Sequence, residues 1–156
     1  MANFVFNVAL GRAAELYNRV KTGDPSASRL VVVAIVANGQ TDAVMRDYNT
    51  LADLLGDALV AEATNSGYAR IVLAAADLAA LSHDDTNDRV DLDTGDLALG
   101  TLSAGDNPTD VAFCYDPNGA GGTDAEIIPL TLHDFAITPD GSAVTVQTPN
   151  GFFRAA

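Results

Sequence analysis

Leu30-Val31-Val32-Val33-Ala34-Ile35-Val36 decides the fold class. The run is apolar throughout and mostly β-branched, and branched Cβ atoms suit a pleated strand while losing rotamer freedom in a helix. A strand with one wet face alternates apolar and polar residues. A strand that does not alternate needs cover on both faces. This segment is therefore expected to be a central strand, ended by the turn residues Asn38-Gly39.

Upstream, Asn3-Phe4-Val5-Phe6-Asn7-Val8 is rich in β-formers and reads as a strand. Gly11 to Val20 is open at this level: Ala13, Ala14, Leu16 and Val20 form a helical stripe, while Tyr17 and Val20 also suit a strand. Lys21-Thr22-Gly23-Asp24-Pro25-Ser26 is a turn. Downstream, Thr41 or Asp42 can cap a helix from Ala43, and Leu51, Leu54, Leu55 and Leu59 recur at helical spacing. A short helix is expected between Asp42 and Ala63, with the leucines as core. Asn65-Ser66-Gly67 turns the chain into a second strand, Tyr68 to Leu73, and Asp77 is placed to cap a single turn through Leu81. Arg89-Val90-Asp91-Leu92-Asp93 alternates as an exposed strand does.

Beyond the break at Asn107-Pro108, further runs follow: Thr109 to Tyr115, Ile127 to Leu132, Phe135 to Thr138 and Val144 to Gln147. The glycine-rich stretch Asp116 to Gly122 and the turns Pro139-Asp140-Gly141 and Pro149-Asn150-Gly151 separate them. Short runs between regular turns predict a mainly β chain, an antiparallel β-sandwich or barrel-like domain with one or two short helices. No fixed-period repeat or linker divides residues 1–156, so one domain is expected, with apolar segments at about 1–8 and 151–156 that pair with each other or with neighbouring subunits.

Length and composition agree with that reading. A chain of 156 residues, 48% of them hydrophobic, has enough material for an ordinary core. Eight Lys and Arg oppose 21 Asp and Glu, for a formal net charge of -13. Such a chain lacks the basic footprint that phosphates and anionic membrane surfaces require, so nucleic-acid and membrane partners are not expected. Cys114 is the sole cysteine and lies in Val111-Ala112-Phe113-Cys114-Tyr115, the setting of a small buried hydrophobe. The N-terminus has no basic-then-apolar signal pattern, and the longest apolar stretches fall far short of the about 20 residues a bilayer needs. Synthesis in the cytoplasm is expected.

No recognised chemistry stands out. The only histidines, His83 and His133, lack further ligands at metal-binding spacing. Asp84, Asp85, Asn87, Asp88, Asp91, Asp93 and Asp96 offer oxygen ligands, and Asp91 to Asp96 partly mimics a calcium loop. However, Gly95 stands at the third ligand position and the closing bidentate Glu is missing. No P-loop lysine follows the glycine-rich stretch, and Ser26, Ser28, Ser66, Ser82, Ser103 and Ser142 lie in turn-like contexts outside any nucleophile elbow. No catalytic residue, cofactor-binding residue or metal ligand is assigned, and no small-molecule substrate is expected. Phe4 and Phe6 at one end and Phe152 and Phe153 at the other are the candidate contact residues, because apolar ends are tied down either in the chain's own sheet or on a neighbour.

Phrases along the chain resemble small virion proteins of tailed phages, the head or capsid-decoration (cement) proteins. They begin with Asn3-Phe4-Val5-Phe6-Asn7-Val8, Gly11 to Val20 and Asp24-Pro25. They continue through Asp84-Asp85-Thr86-Asn87-Asp88-Arg89, Cys114-Tyr115-Asp116-Pro117 and Gly121-Gly122-Thr123-Asp124. Ile127-Ile128-Pro129-Leu130, His133-Asp134-Phe135 and Gly151-Phe152-Phe153-Arg154 complete the likeness. It implies a non-enzymatic structural protein on the capsid exterior, bound to the major capsid protein and to copies of itself, often as a trimer matching local capsid symmetry. Two other roles stay open: a tail, neck or fibre component, and a host-surface binding module whose acidic loop holds calcium.

Overall fold

The computed structural model describes residues 3–149 and 151–155. In chain order its elements are β1 (Phe4–Val5), α1 (Ala13–Thr22), β2 (Arg29–Ala37), α2 (Asp42–Met45), α3 (Leu51–Gly56), β3 (Val60–Glu62), β4 (Ile71–Leu73) and β5 (Ser82–Asp84). They continue with β6 (Arg89–Leu92), β7 (Leu97–Thr101), β8 (Asp110–Asp116), β9 (Ile128–Asp134), β10 (Ala143–Val146) and β11 (Phe153–Ala155). Every strand pairing is antiparallel.

The main sheet is built around β2, as its sequence demands. β8 pairs along most of one side of it, with Leu30 opposite Tyr115 and Ala34 opposite Val111. β9 and then β1 lie beyond β8. On its other side β2 meets two short strands end to end, β3 opposite Ile35–Ala37 and β4 opposite Leu30–Val32. Leu30 to Ile35 are each at most 3% exposed. The period-2 geometry of a strand sends alternate side chains to two separate cores. Leu30, Val32 and Ala34 join Leu16, Tyr17, Val20, Phe113, Leu130 and Phe152 on one face. Val31, Val33 and Ile35 join Phe4, Phe6, Met45, Leu51, Leu54 and Cys114 on the other.

Each face is therefore covered, by different means. α2 and α3 lie over one face. The other is covered by α1 together with two small sheets, β10–β7 and β11–β6–β5. The architecture is sandwich-like and the main sheet does not close into a barrel. Among the described residues three α-helices are present, where one or two were expected.

β9 carries a bulge that keeps this two-core division in phase. Phe113 sits opposite Thr131, but Cys114 sits opposite Pro129, so Leu130 is an extra residue. It packs with Phe113 in the first core, while Leu132, two residues on, points into the second. Pro129 beside it has no N–H to donate, and a bulge is where a paired strand tolerates that loss.

Several expectations need correction. The expected strand at Asn3 to Val8 is β1 alone, followed by a 3-10 turn at Asn7–Ala9. Gly11 to Val20 resolves as helix α1, because Ala13, Leu16, Tyr17 and Val20 bury one stripe against the sheet. Gly23, at φ 68°, ends it, with Gly23 N–H bonded to the Val20 carbonyl and Asp24 N–H to that of Arg19. The expected helix between Asp42 and Ala63 is two short ones, broken at Asp47–Asn49. α3 starts with a capping box between Thr50 and Asp53, and Leu59 lies beyond it, 44% exposed. Asp77 ends a 3-10 turn, Ala75–Asp77, rather than opening one; its carboxylate accepts the Ala74 N–H. Phe135 to Thr138 is not a strand. Asn150 of the turn expected at Pro149 to Gly151, and Met1, Ala2 and Ala156 of the end segments, lie outside the described residues.

Candidate functional site

The two ends of the chain come together. β1 pairs with β9, Phe4 opposite Leu132, and β11 pairs with β6, Phe153 opposite Leu92. Between them a cleft of about 280 Å³ is lined by Asn3, Phe4, Val5, Thr131, His133, Phe152, Phe153 and Arg154. Three of the four candidate contact residues, Phe4, Phe152 and Phe153, thus share one cleft. Phe6 does not; it is fully buried in the core beneath α2 and α3. Phe4 and Phe152 are 7% and 5% exposed, so most of each ring is already committed to the chain's own interior.

Phe152 is the joint of this region. Its ring stacks on Phe113 of β8, with centroids 4.3 Å apart and planes within 4°. It also lies 6.0 Å from Tyr17 of α1. The Tyr17 hydroxyl donates to the carbonyls of Ala79 and Asp93, at 2.8 and 2.6 Å, and burial is the main reason its pKa is pushed up to about 12. The rings therefore hold α1, β8 and the C-terminal segment together, and the Tyr17 hydroxyl, its proton shared between two carbonyls, ties α1 to the backbone at Ala79 and Asp93.

A second cleft of about 250 Å³ adjoins the first, lined by His133, Asp134, Phe135, Gln147, Thr148 and Phe152 among others. His133 stands edge-on to Phe113 at 5.5 Å, and its Nε2 is 2.9 Å from the Thr131 hydroxyl. Burial lowers its pKa, with Asp134 opposing the shift, so the ring is held toward its neutral form. Among the described residues its ring bonds to the Thr131 hydroxyl, and that residue is 1% exposed.

The other groups with chemical potential are engaged in structural roles. Cys114 is fully buried, and burial pushes its thiol up to about 12, away from the thiolate a nucleophile needs. In the acidic stretch, Asp84 accepts from Asn87 and pairs with Arg89 at 3.0 Å, and Asp91 pairs with Arg154 at 2.7 Å. Asp93 accepts the Gly95 N–H, and Asp96 that of Thr148. Among the described residues no group of three His, Cys, Asp or Glu is arranged to hold a metal ion. The glycine-rich loop is tied down in the same way, with the Asn118 N–H bonded to Asp116 and the Thr123 N–H to Glu126.

The most concentrated polar cluster was not anticipated. Arg70 reaches both oxygens of Glu62 and both of Asp124, at 2.5–3.0 Å. These hydrogen bonds, donated by the guanidinium to two carboxylates, raise its pKa further. No local spacing links positions 62, 70 and 124, so only the fold reveals the cluster. Each of the eight basic side chains has a partner within the chain: Arg12 and Arg19 with Glu15, Lys21 and Arg29 with backbone carbonyls, Arg46 over the Phe4 ring, and Arg70, Arg89 and Arg154 with carboxylates.

No protein-family model matches the chain, and neither a curated protein nor a solved structure matches it.

Proposed function

We propose that the chain is a structural protein of a tailed-phage virion, a capsid decoration protein that binds the outside of the head and bridges major capsid subunits. The observation that carries this reading is the ordered likeness of phrases from Asn3 to Arg154. The charge distribution supports it. With each of its eight basic side chains engaged within the chain and 21 carboxylates in all, the protein presents a predominantly acidic exterior. Such an exterior stays soluble at high copy number and favours a basic or apolar partner over packaged nucleic acid. Many copies on one shell would make modest single contacts effective.

The test is a cryo-electron-microscopy reconstruction of virions in which mass spectrometry has found the chain. Density on the outer shell, spanning adjacent capsid subunits, is the expected result. Density confined to the tail or neck would overturn the decoration role, and absence of the chain from purified virions would overturn the virion role as well. Deleting residues 1–8 or 151–156 is a poor probe of gripping, since Phe6 and Phe152 belong to the core. Changes at the partly exposed Phe153 and Arg154 separate binding from folding.

A further inference from the structure

We propose that β4 is a self-pairing edge, at which a second copy of this chain adds its own β4 antiparallel across a twofold axis through Val72. Sheet edges in soluble proteins are guarded by lysine, proline, a bulge or an inward charge. β4 reads Ile71-Val72-Leu73 and has none of these, and Val72 is 54% exposed.

The hydrogen-bond phase of β2 shows which β4 groups face outward. Ala34 of β2 bonds toward this edge, its N–H to the Tyr68 hydroxyl and its carbonyl to the Ala63 N–H. Ile35, the next residue, bonds the opposite way, its carbonyl accepting the Thr109 N–H at the start of β8. Odd-numbered residues of β2 thus face β8. Val72 lies opposite Val31, so its own N–H and C=O point away from β2, out of the sheet. An antiparallel partner centred there exchanges both bonds between the two Val72 residues. It also sets Ile71 against Leu73 of the partner subunit, so the strand is apolar against itself throughout.

Charge selects a second copy as the occupant. A chain of net charge -13 repels itself least where carboxylates are few, and from Ala63 to Ala76 there is no Asp or Glu. The flanking carboxylates are engaged within the chain, Glu62 and Asp124 by the shared Arg70 and Asp77 by the Ala74 N–H. The pairing is isologous, so it closes at two copies and does not propagate. The Ala74 N–H is already taken by Asp77, which limits the ladder to a short stretch and makes the dimer a concentration-dependent one. The proposal concerns the chain in solution and does not depend on where it acts.

Sedimentation equilibrium of the full chain over a concentration series, at physiological salt, tests this. The mass should rise towards that of a dimer, and Val72→Lys should weaken association by about tenfold or more with an unchanged circular dichroism spectrum. Val72→Cys should oxidise to a covalent dimer faster than Val44→Cys, an exposed position on α2, while buried Cys114 stays out of the reaction. A strictly monomeric wild type, unweakened association in Val72→Lys, or equal cross-linking of the two cysteine variants would each overturn the proposal.

Discussion

Asp110 is a carboxylate the fold holds against its preference. It is 1% exposed, its Oδ2 accepts the Thr109 hydroxyl at 2.6 Å, and it lies directly opposite Asp134 across the β8–β9 ladder. Burial raises its pKa, with Asp134 and Asp42 adding to the shift and the Thr109 bond opposing it. A raised folded-state value means the folded protein holds this proton more tightly than the unfolded chain. Stability from that proton is full at low pH and is lost as pH rises from the ordinary carboxylate range through the folded value. Asp110→Asn should therefore melt above the wild type at neutral pH, with the gap closing as pH falls to about 4. A gap independent of pH in a melting series would reject this account. Nothing in the sequence marks Asp110, which reads as a polar residue at a strand start. Cys114 in the same strand was legible, because an unbroken apolar run already places it inside.

At the scale of elements, β3 and β4 behave as one edge strand with an insertion. Where the chain leaves the sheet between them, β2 would lose a partner at Ala34, and the Tyr68 hydroxyl substitutes by accepting that N–H at 3.0 Å while donating to Glu62 at 2.9 Å. Tyr68→Phe leaves the N–H of a fully buried residue unpaired. The expected loss is about 1–3 kcal/mol in chemical denaturation; a loss below about 0.5 kcal/mol would show that the hydroxyl is dispensable. The elements differed in how far they could be read from sequence, for a common reason. β2 was legible because full burial leaves an unalternating pattern. α1 was not, since Leu16, Tyr17 and Val20 serve either geometry and only their packing on β2 and β8 decides. β1 was overread: its apolar residues divide between a two-residue strand and a 3-10 turn.

For the whole molecule, charge is the term that every part shares. The acidic excess is repulsive in the compact state, and the internal arginine pairs offset only part of it. Raising monovalent salt from about 10 mM to about 0.15 M shortens the screening length from about 30 Å to about 8 Å, which should raise the melting temperature. A fall would mean that the Arg70, Arg89 and Arg154 pairs outweigh the repulsion. The candidate site was legible in its residues but not in its arrangement. Aromatic ends imply anchoring, yet only the fold shows Phe4, Phe152 and Phe153 in one cleft and Phe6, beside Phe4, sealed in the core beneath α2 and α3.

The main sheet joins distant parts of the chain: Leu30 with Tyr115, and Phe4 with Leu132. Its central pairing cannot form from neighbours in sequence, so a large loop must close before any contact in β2 and β8 repays the lost entropy. Topologies of this kind fold in milliseconds to seconds, where local helical ones need microseconds to milliseconds. Until β8 pairs with it, Leu30 to Val36, an unbroken apolar and mostly β-branched run, lacks the strand that covers most of one edge. The strong negative charge then has a second use, keeping unfinished copies apart until β8 arrives.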